Sequence, residues 1–206
     1  MSIVSNYIWE KGLDGGRNPV SLIAQQAGLK GREICLFCVC ESPQGEWGGR
    51  VTEQLVDWFH KICLPACGGR RQPVPEELLE EELYEIEREL PGKDRGSYGG
   101  LLLMGNRFYL FGRGNIEVRL VNCRYNRPQM KELCFPLSGR IQRGAGLLLY
   151  TPLLTEKLEQ EEVCQILHGE GRWQEERIAR RLKELWQEGR SRGNTGPVGG
   201  IYLQVV

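Results

Sequence analysis

Three closely spaced cysteines, Cys35, Cys38 and Cys40, are the first residues of this chain whose types and spacing could do chemistry. Thiolates at short spacing are typical of structural zinc sites. However, the three lie in a continuous apolar run, ICLFCVC, which predicts a strand buried on both faces. In a strand Cys38 and Cys40 share one face and Cys35 takes the other. We therefore expect reduced, buried thiols, with a structural metal as the alternative.

Histidine offers a second route to chemistry, because His60, Cys63 and Cys67 would share one face of a helix. A nucleophilic Cys or Ser also needs a base beside it, and His60 and His168 are the only histidines. Both fall on predicted helices, in settings typical of packing or surface positions. The sequence has no Cys-x5-Arg loop, no Gly-x-Ser-x-Gly elbow and no Gly-Lys-Ser/Thr phosphate loop. None of these routes supports an enzyme.

Charge and hydropathy exclude several classes of partner. The 27 Lys and Arg residues balance 27 Asp and Glu residues, so no global field would draw the protein to nucleic acid or to an anionic membrane. No apolar run is long enough to span a bilayer, and the first residues do not resemble a secretion signal. We expect a cytoplasmic protein folded as one domain over residues 1–206.

The elements that must position any site follow from the apolar periodicity. The strand at ICLFCVC is followed by a loop and two amphipathic helices, then by a run of strands, two more helices and a last strand. This order predicts an α+β fold in which two mainly antiparallel sheets form a β-sandwich flanked by helix pairs. The predicted elements after the first strand are helices at 50–62 and from Pro75, strands at 100–104, 107–112, 116–122, 132–135 and 146–150, helices at 159–168 and 172–188, and a strand at 201–206.

Five short segments stand where these elements begin or end. They are GGRNPVS at 15–21, ESPQGEWGG at 41–49, GRGNIE at 112–117, TPLLTE at 151–156 and GGIYLQVV at 199–206. In order, and in the element that each adjoins, they resemble the motifs of the metal-dependent serine/threonine protein phosphatases of type 2C. The resemblance runs over essentially the whole chain and implies that family's four-layer sandwich of two sheets between helix pairs.

The resemblance also implies which positions would bind metal. The family's acidic ligands fall on Val20, Glu41, Pro152 and Gly199, and a glycine that binds metal through its carbonyl falls on Ser42. Val20, Pro152 and Gly199 have no side-chain oxygen, whereas manganese and magnesium require oxygen ligands. One carboxylate cannot assemble the two-metal centre that generates the nucleophile in this family. We therefore expect a pseudophosphatase with no catalytic or metal-binding residues and no cofactor.

The same segments allow two other interpretations. An active phosphatase with an atypical manganese or magnesium site around Glu41 is the alternative, with Asp14, Glu46 and Glu156 close enough in sequence to rebuild it. A protein that binds a small molecule in the vacated cleft is a third possibility, and it would show ligand-dependent thermal stabilisation without turnover.

The expected partner is a protein. Analogy with the family suggests a phosphoprotein, a serine/threonine kinase or another signalling domain. Trp47 is the best candidate for a contact residue, because it stands in a predicted exposed loop and aromatic anchors often dominate interface energy. The arginines that could hold a phosphate are Arg17, Arg113, Arg140 and Arg143.

Overall fold

A computed structural model describes residues 2–12, 18–43, 46–68, 75–89, 96–122, 129–168 and 174–206. The strands are β1 (Ile3–Glu10), β2 (Val20–Leu29), β3 (Arg32–Glu41), β4 (Ser97–Met104), β5 (Arg107–Arg113), β6 (Glu117–Asn122), β7 (Gln129–Leu133), β8 (Leu137–Arg140), β9 (Ala145–Tyr150) and β10 (Val198–Val205). The helices are α1 (Glu46–Trp58), α2 (Leu64–Gly68), α3 (Pro75–Glu89), α4 (Gln160–Leu167) and α5 (Glu175–Ser191). A π-helical turn, Phe59–Cys63, joins α1 to α2.

The strands form two five-stranded antiparallel sheets. Sheet I has the order β1-β10-β9-β6-β7, and sheet II has the order β2-β3-β4-β5-β8. One core lies between the sheets, a second lies between sheet II and the helices α1 and α3, and a third lies between sheet I and the helices α4 and α5. The predicted sandwich between helix pairs is confirmed.

The strand at ICLFCVC is confirmed as β3, which runs between β2 and β4 and is buried on both faces. Three other strands, β1, β2 and β8, were not predicted, and all three lie at sheet edges. An edge strand is solvated along one side, so it tolerates polar and small residues that obscure an apolar pattern. In β2, for example, the sequence after Ile23 is Ala-Gln-Gln-Ala-Gly-Leu.

The helix predicted at 50–62 begins earlier than expected, at Glu46. Trp47 is therefore not in a loop, and that placement was wrong. It lies half-buried in the first turn of α1 against the core beneath sheet II, with its ring centroid 6.1 Å from that of Tyr98. The predicted helices at 159–168 and 172–188 correspond to α4 and α5.

The cysteines of β3 divide between two cores as alternation requires. Cys35 lies between the sheets, and burial raises the pKa of its thiol to about 12. Cys38 and Cys40 face α1, and their sulfur atoms are 3.6 Å apart. Among the described residues, no three Asp, Glu, His or Cys side chains gather as a metal site would require. No described helix is long and apolar enough to cross a membrane.

Candidate functional site

The ends of β2, β3 and β10 meet at one end of the sandwich. Val20 pairs with Glu41 across β2 and β3, and alternation along β3 directs Glu41 to the same inner face as the buried Val39. Gly199 lies on β10 in the opposite sheet. A Cβ atom at position 199 would lie 2.3 Å from Cγ1 of Val20. The structure therefore brings Val20, Glu41 and Gly199 together, and the Val20 side chain occupies the space in front of Gly199.

Thr151 holds Pro152 beside this cluster. The fully buried Thr151 donates its N–H to the carbonyl of Gly199 at 2.9 Å, and its Oγ1 accepts the N–H of Gly199 at 3.1 Å. Pro152 follows at once and opens a short 3₁₀ turn, Pro152–Leu154. A proline is suited to the start of such a turn because it has no N–H to satisfy.

Ser42 ties the end of β3 to the start of α1. It is 1% exposed, donates its N–H to the carbonyl of Pro19 at 2.9 Å and accepts the N–H of Gly48 on Oγ at 3.3 Å. Gly48 allows α1 to approach closely, since a Cβ atom there would lie 3.3 Å from Cβ of Cys40. Ser42 thus serves the packing of α1 against sheet II.

Sequence reasoning missed Trp9, which closes the outer side of the cluster. Trp9 pairs with Gly199 across β1 and β10, and its indole Nε1 donates to the carbonyl of Val20 at 2.8 Å. The side-chain Oδ1 of Asn18 accepts the N–H of Val20 at 3.0 Å. The signal that could have revealed Trp9 is the alternation of Tyr7 and Trp9 in β1, but that strand was not recognised.

The fold around the Val20–Gly199 cluster has counterparts among solved structures. No protein-family model matches the chain, and no curated protein sequence matches it. Solved structures do match over the full chain: serine/threonine phosphatase Stp1 from Staphylococcus aureus has a TM-score of 0.75 at 13% identity, covering 100% of this chain and 96% of that one. The chain has the type 2C phosphatase fold.

Two further phosphatases share the fold. The serine/threonine phosphatase of S. agalactiae matches with a TM-score of 0.68 at 10% identity, and 100% of both chains is covered. The catalytic domain of serine/threonine protein phosphatase PstP, solved in complex with two manganese ions, matches with a TM-score of 0.64 at 16% identity, again over 100% of both chains. At identities of 10–16%, these matches show that the chain has the type 2C phosphatase fold. They do not show whether it has the activity.

The described residues at this end of the fold do not supply the ligands that a pair of divalent metal ions would need. Hard cations need several oxygen ligands, yet Val20, Pro152 and Gly199 offer no side-chain oxygen. The free side of Gly199 is filled by Val20, so no carboxylate can extend from that position without displacing it. Glu41 is the one carboxylate that the described residues place on this inner face beside Val20.

The acidic residues considered as replacements do not change this result. Glu46 starts α1, and Glu156 is paired at 3.8 Å with its neighbour Lys157 outside the strand cluster. Asp14 lies outside the described residues. Among the described residues, Glu41 does not belong to any group of three acidic, histidine or cysteine side chains that could hold a metal ion.

Burial raises the pKa of the Glu41 carboxyl above its ordinary value of 4.5. Because the folded state then binds the proton more tightly than the unfolded chain, this group favours folding below the ordinary pKa, and that contribution is lost as the pH rises through the raised pKa. We expect the free energy of unfolding of Glu41→Gln to fall less with pH across this window than that of the unmodified protein. Urea denaturation at several pH values measures how the free energy of unfolding of each protein changes with pH.

The control for this measurement is Glu53→Gln, which removes an exposed carboxyl on α1. It should leave the pH slope close to that of the unmodified protein. If the free energy of unfolding changes equally with pH for the unmodified protein and Glu41→Gln, the raised pKa of Glu41 does not contribute to the pH dependence of stability.

The arginines considered for phosphate binding do not converge. Arg113 pairs with Glu87 of α3 at 3.1 Å on the outer face of sheet II, whereas Arg140 lies on the edge strand β8 and Arg143 lies in an exposed turn. Arg17 lies outside the described residues. The structure thus offers no arginine cluster at the former cleft within its described parts.

The two histidines also lie apart from the cluster. His60 Nε2 is 3.3 Å from Oε1 of Gln25, and His168 caps the end of α4. Neither is within the set that joins Val20 to Gly199, so the described site contains no histidine base for nucleophilic catalysis.

Proposed function

We propose that this protein is a pseudophosphatase, a non-catalytic domain with the type 2C phosphatase fold that binds a protein partner. One observation carries the proposal: Val20 packs where a side chain at position 199 would emerge. Two positions that the resemblance assigns to metal ligands instead form an apolar contact between the sheets. Without catalysis, the function that remains for the fold is to bind a partner through its surface.

The backbone groups around this contact support the same proposal, because the polar atoms beside them bond to the backbone. Thr151 bonds to both backbone groups of Gly199, and Asn18 and Trp9 bond to the two backbone groups of Val20. Oxygen atoms that bind a cation are normally directed at it, whereas these are used to fix the backbone. The cluster is organised for packing.

Hydrolysis of an aryl phosphate tests the proposal. With p-nitrophenyl phosphate and either manganese or magnesium, we expect no metal-dependent turnover above the protein-free rate, and no change on Glu41→Ala. The catalytic domain of PstP provides a positive control under the same conditions. Turnover that requires manganese and is abolished by Glu41→Ala would overturn the proposal.

Manganese-dependent turnover that is abolished by Glu41→Ala would favour the second candidate function, an active phosphatase with an atypical single-metal site. The observation that favours it is Glu41 itself, a half-buried carboxyl at the end of β3 whose pKa is raised by burial. A bound cation would lower that pKa, because an opposite charge favours the ionised form.

For the partner, we propose a phosphoprotein, a serine/threonine kinase or another signalling domain. The type 2C fold supports this choice by analogy alone. Trp47 remains a proposed contact residue from its half-exposed position in the first turn of α1. Its indole Nε1 is buried without a hydrogen-bond partner among the described residues, and Trp47→Phe would test whether partner binding uses it.

A further inference from the structure

The outer edge of β2 is unpaired over most of its length. Pro19 accepts a hydrogen bond from Ser42, so odd-numbered residues of β2 direct their backbone groups toward β3 and even-numbered ones direct theirs outward. The bonds of Val20 to Trp9 and Asn18 agree with this alternation. Beyond Val20, no described residue bonds to the outward N–H and C=O groups of Leu22, Ala24 and Gln26.

The edge strand β1 of the opposite sheet has two outward N–H groups that are bonded to side chains. Its outward N–H at Ile3 donates to Glu33 Oε2 at 2.8 Å, and that at Tyr7 donates to Asn6 Oδ1 at 2.8 Å. Native proteins usually cap, cover or charge an edge to prevent pairing with other chains. The β2 edge lacks such a cap in the described residues and even presents the small Ala24 and Gly28.

A groove of about 590 Å³ runs along this edge, with α1 as its wall. Consecutive residues of β2, 22–25, line one side, so the groove follows the strand edge and not one face of the sheet. On the other side α1 contributes Thr52, Val56 and two carboxylates, Glu53 and Asp57. A chain lying in the groove would meet backbone groups on one side and a helix on the other.

The charge of the groove wall selects the ligand. Glu53 and Asp57 are four residues apart on α1 and both exposed, and Asp57 pairs at 2.6 Å with the exposed Lys61 at the end of the groove. The described β2 segment that faces them, 22–25, carries no charge. A basic side chain of a ligand would therefore find complementary charge at Glu53, which has no ion-pair partner among the described residues, whereas Asp57 is already paired with Lys61.

The inner side of the β2 edge is apolar and aromatic. Side chains of β1 reach β2 there, because Ser5 Oγ accepts from Gln26 Nε2 at 3.3 Å and Trp9 bonds to Val20. Tyr7 and Trp9 are 57% and 46% exposed, which is unusual for large hydrophobic residues of this chain. Alternate side chains of an added strand would contact this aromatic side.

We propose that the β2 edge and the groove beside α1 bind an extended segment of a partner protein by strand addition, with basic side chains facing α1 and apolar side chains facing Tyr7 and Trp9. Main-chain hydrogen bonds would supply affinity, and the two rows of side chains would supply specificity. The inference deepens the proposed protein-binding function and rests on it for the kind of partner.

A synthetic peptide tests the inference directly. The probe is fluorescein-labelled Thr-Val-Lys-Val-Arg-Val-Lys-Thr, which alternates basic and apolar residues, and anisotropy measures its binding. We expect saturable binding. The same peptide N-methylated at alternate residues on the edge-facing side should not bind, because it lacks the amide donors. Equal binding of both peptides, or of neither, would overturn strand addition.

Two pairs of variants locate the site. Ala24→Pro removes an outward N–H at an edge position that tolerates proline, and Ala24→Thr retains it. We expect Ala24→Pro to weaken peptide binding about tenfold or more, as loss of main-chain bonds predicts, with little change for Ala24→Thr. Glu53→Lys should weaken binding, whereas Glu81→Lys on α3 makes the same charge change outside the groove and should not.

Circular dichroism of each variant establishes that it is folded before binding is compared. If folded Ala24→Pro binds the peptide as the unmodified protein does, the site lies elsewhere and the inference fails. It also fails if the edge is occupied by a second copy of this chain, seen as a dimer that Ala24→Pro dissociates and that excludes the peptide. The phosphatase assay is run separately. If the unmodified protein neither binds the peptide nor hydrolyses the aryl phosphate, only this inference is overturned and the pseudophosphatase proposal stands.

Discussion

Gly199→Asp, which restores the acidic residue that the resemblance places at this position, should lower the free energy of unfolding by about 4 kcal/mol. A Cβ atom there would lie 2.3 Å from Cγ1 of Val20 and 3.3 Å from Cδ2 of Leu22, so both side chains must move within a closely packed core. The new carboxylate would also be buried with no basic partner among the described residues beside it. Urea denaturation measures the change, and an unaltered slope would show that the unfolded state is unaffected.

A double-mutant cycle with Val20→Ala identifies the cause. If the clash with Val20 is responsible, Gly199→Asp should cost at least about 1 kcal/mol less in the Val20→Ala background, because residues in contact are coupled. The same cost in both backgrounds would contradict the contact. A Gly199→Asp protein that is as stable as the unmodified protein would likewise contradict the close contact between Val20 and position 199.

The sequence was sufficient for the architecture because the buried elements carry their own signal. The run ICLFCVC predicted β3, and the apolar spacing of α4 and α5 predicted a helix pair. The order of five weak motifs then matched one fold, although none of them retains the residues that make it recognisable. Order along the chain survives when individual side chains change, since it reflects how the layers connect.

What could not be predicted lies mainly at the edges of the sheets. The strands β1, β2 and β8 contact water along one side, so their sequences lack a clean alternation. The omission mattered for function, because Trp9 and the outward groups of Ala24 belong to these strands. A surface proposed for binding is thus the part of the chain in which pattern reasoning is weakest.

The contact between Val20 and Gly199 is a second feature beyond the sequence. The residue types show that Val20 and Gly199 cannot bind a cation, but not that one occupies the space in front of the other. That contact joins two sheets and depends on the register of β2 with β3 and of β1 with β10. The structure therefore adds a steric reason why these two positions would not bind a cation, beside the chemical reason that neither residue has a side-chain oxygen.

Thr151→Val should lower the free energy of unfolding by about 2 kcal/mol, although the two side chains have nearly the same shape. Thr151 is fully buried, and its Oγ1 accepts the N–H of Gly199 at 3.1 Å. Valine would leave that N–H buried without an acceptor, while the bond from the Thr151 N–H to the carbonyl of Gly199 would remain. Chemical denaturation gives the stability, and hydrogen exchange at Gly199 reports the broken bond.

Thr151→Ser is the matched control, because it keeps the hydroxyl and loses one methyl group, at a cost of about 1 kcal/mol. Its Gly199 amide should remain protected from exchange, whereas that of Thr151→Val should exchange faster. Equal protection in both variants would mean that the hydroxyl does not hold β10. If the expected difference is found, the turn that begins at Pro152 is fixed to β10 by Thr151, at the position where the resemblance would have placed a metal-binding carboxylate.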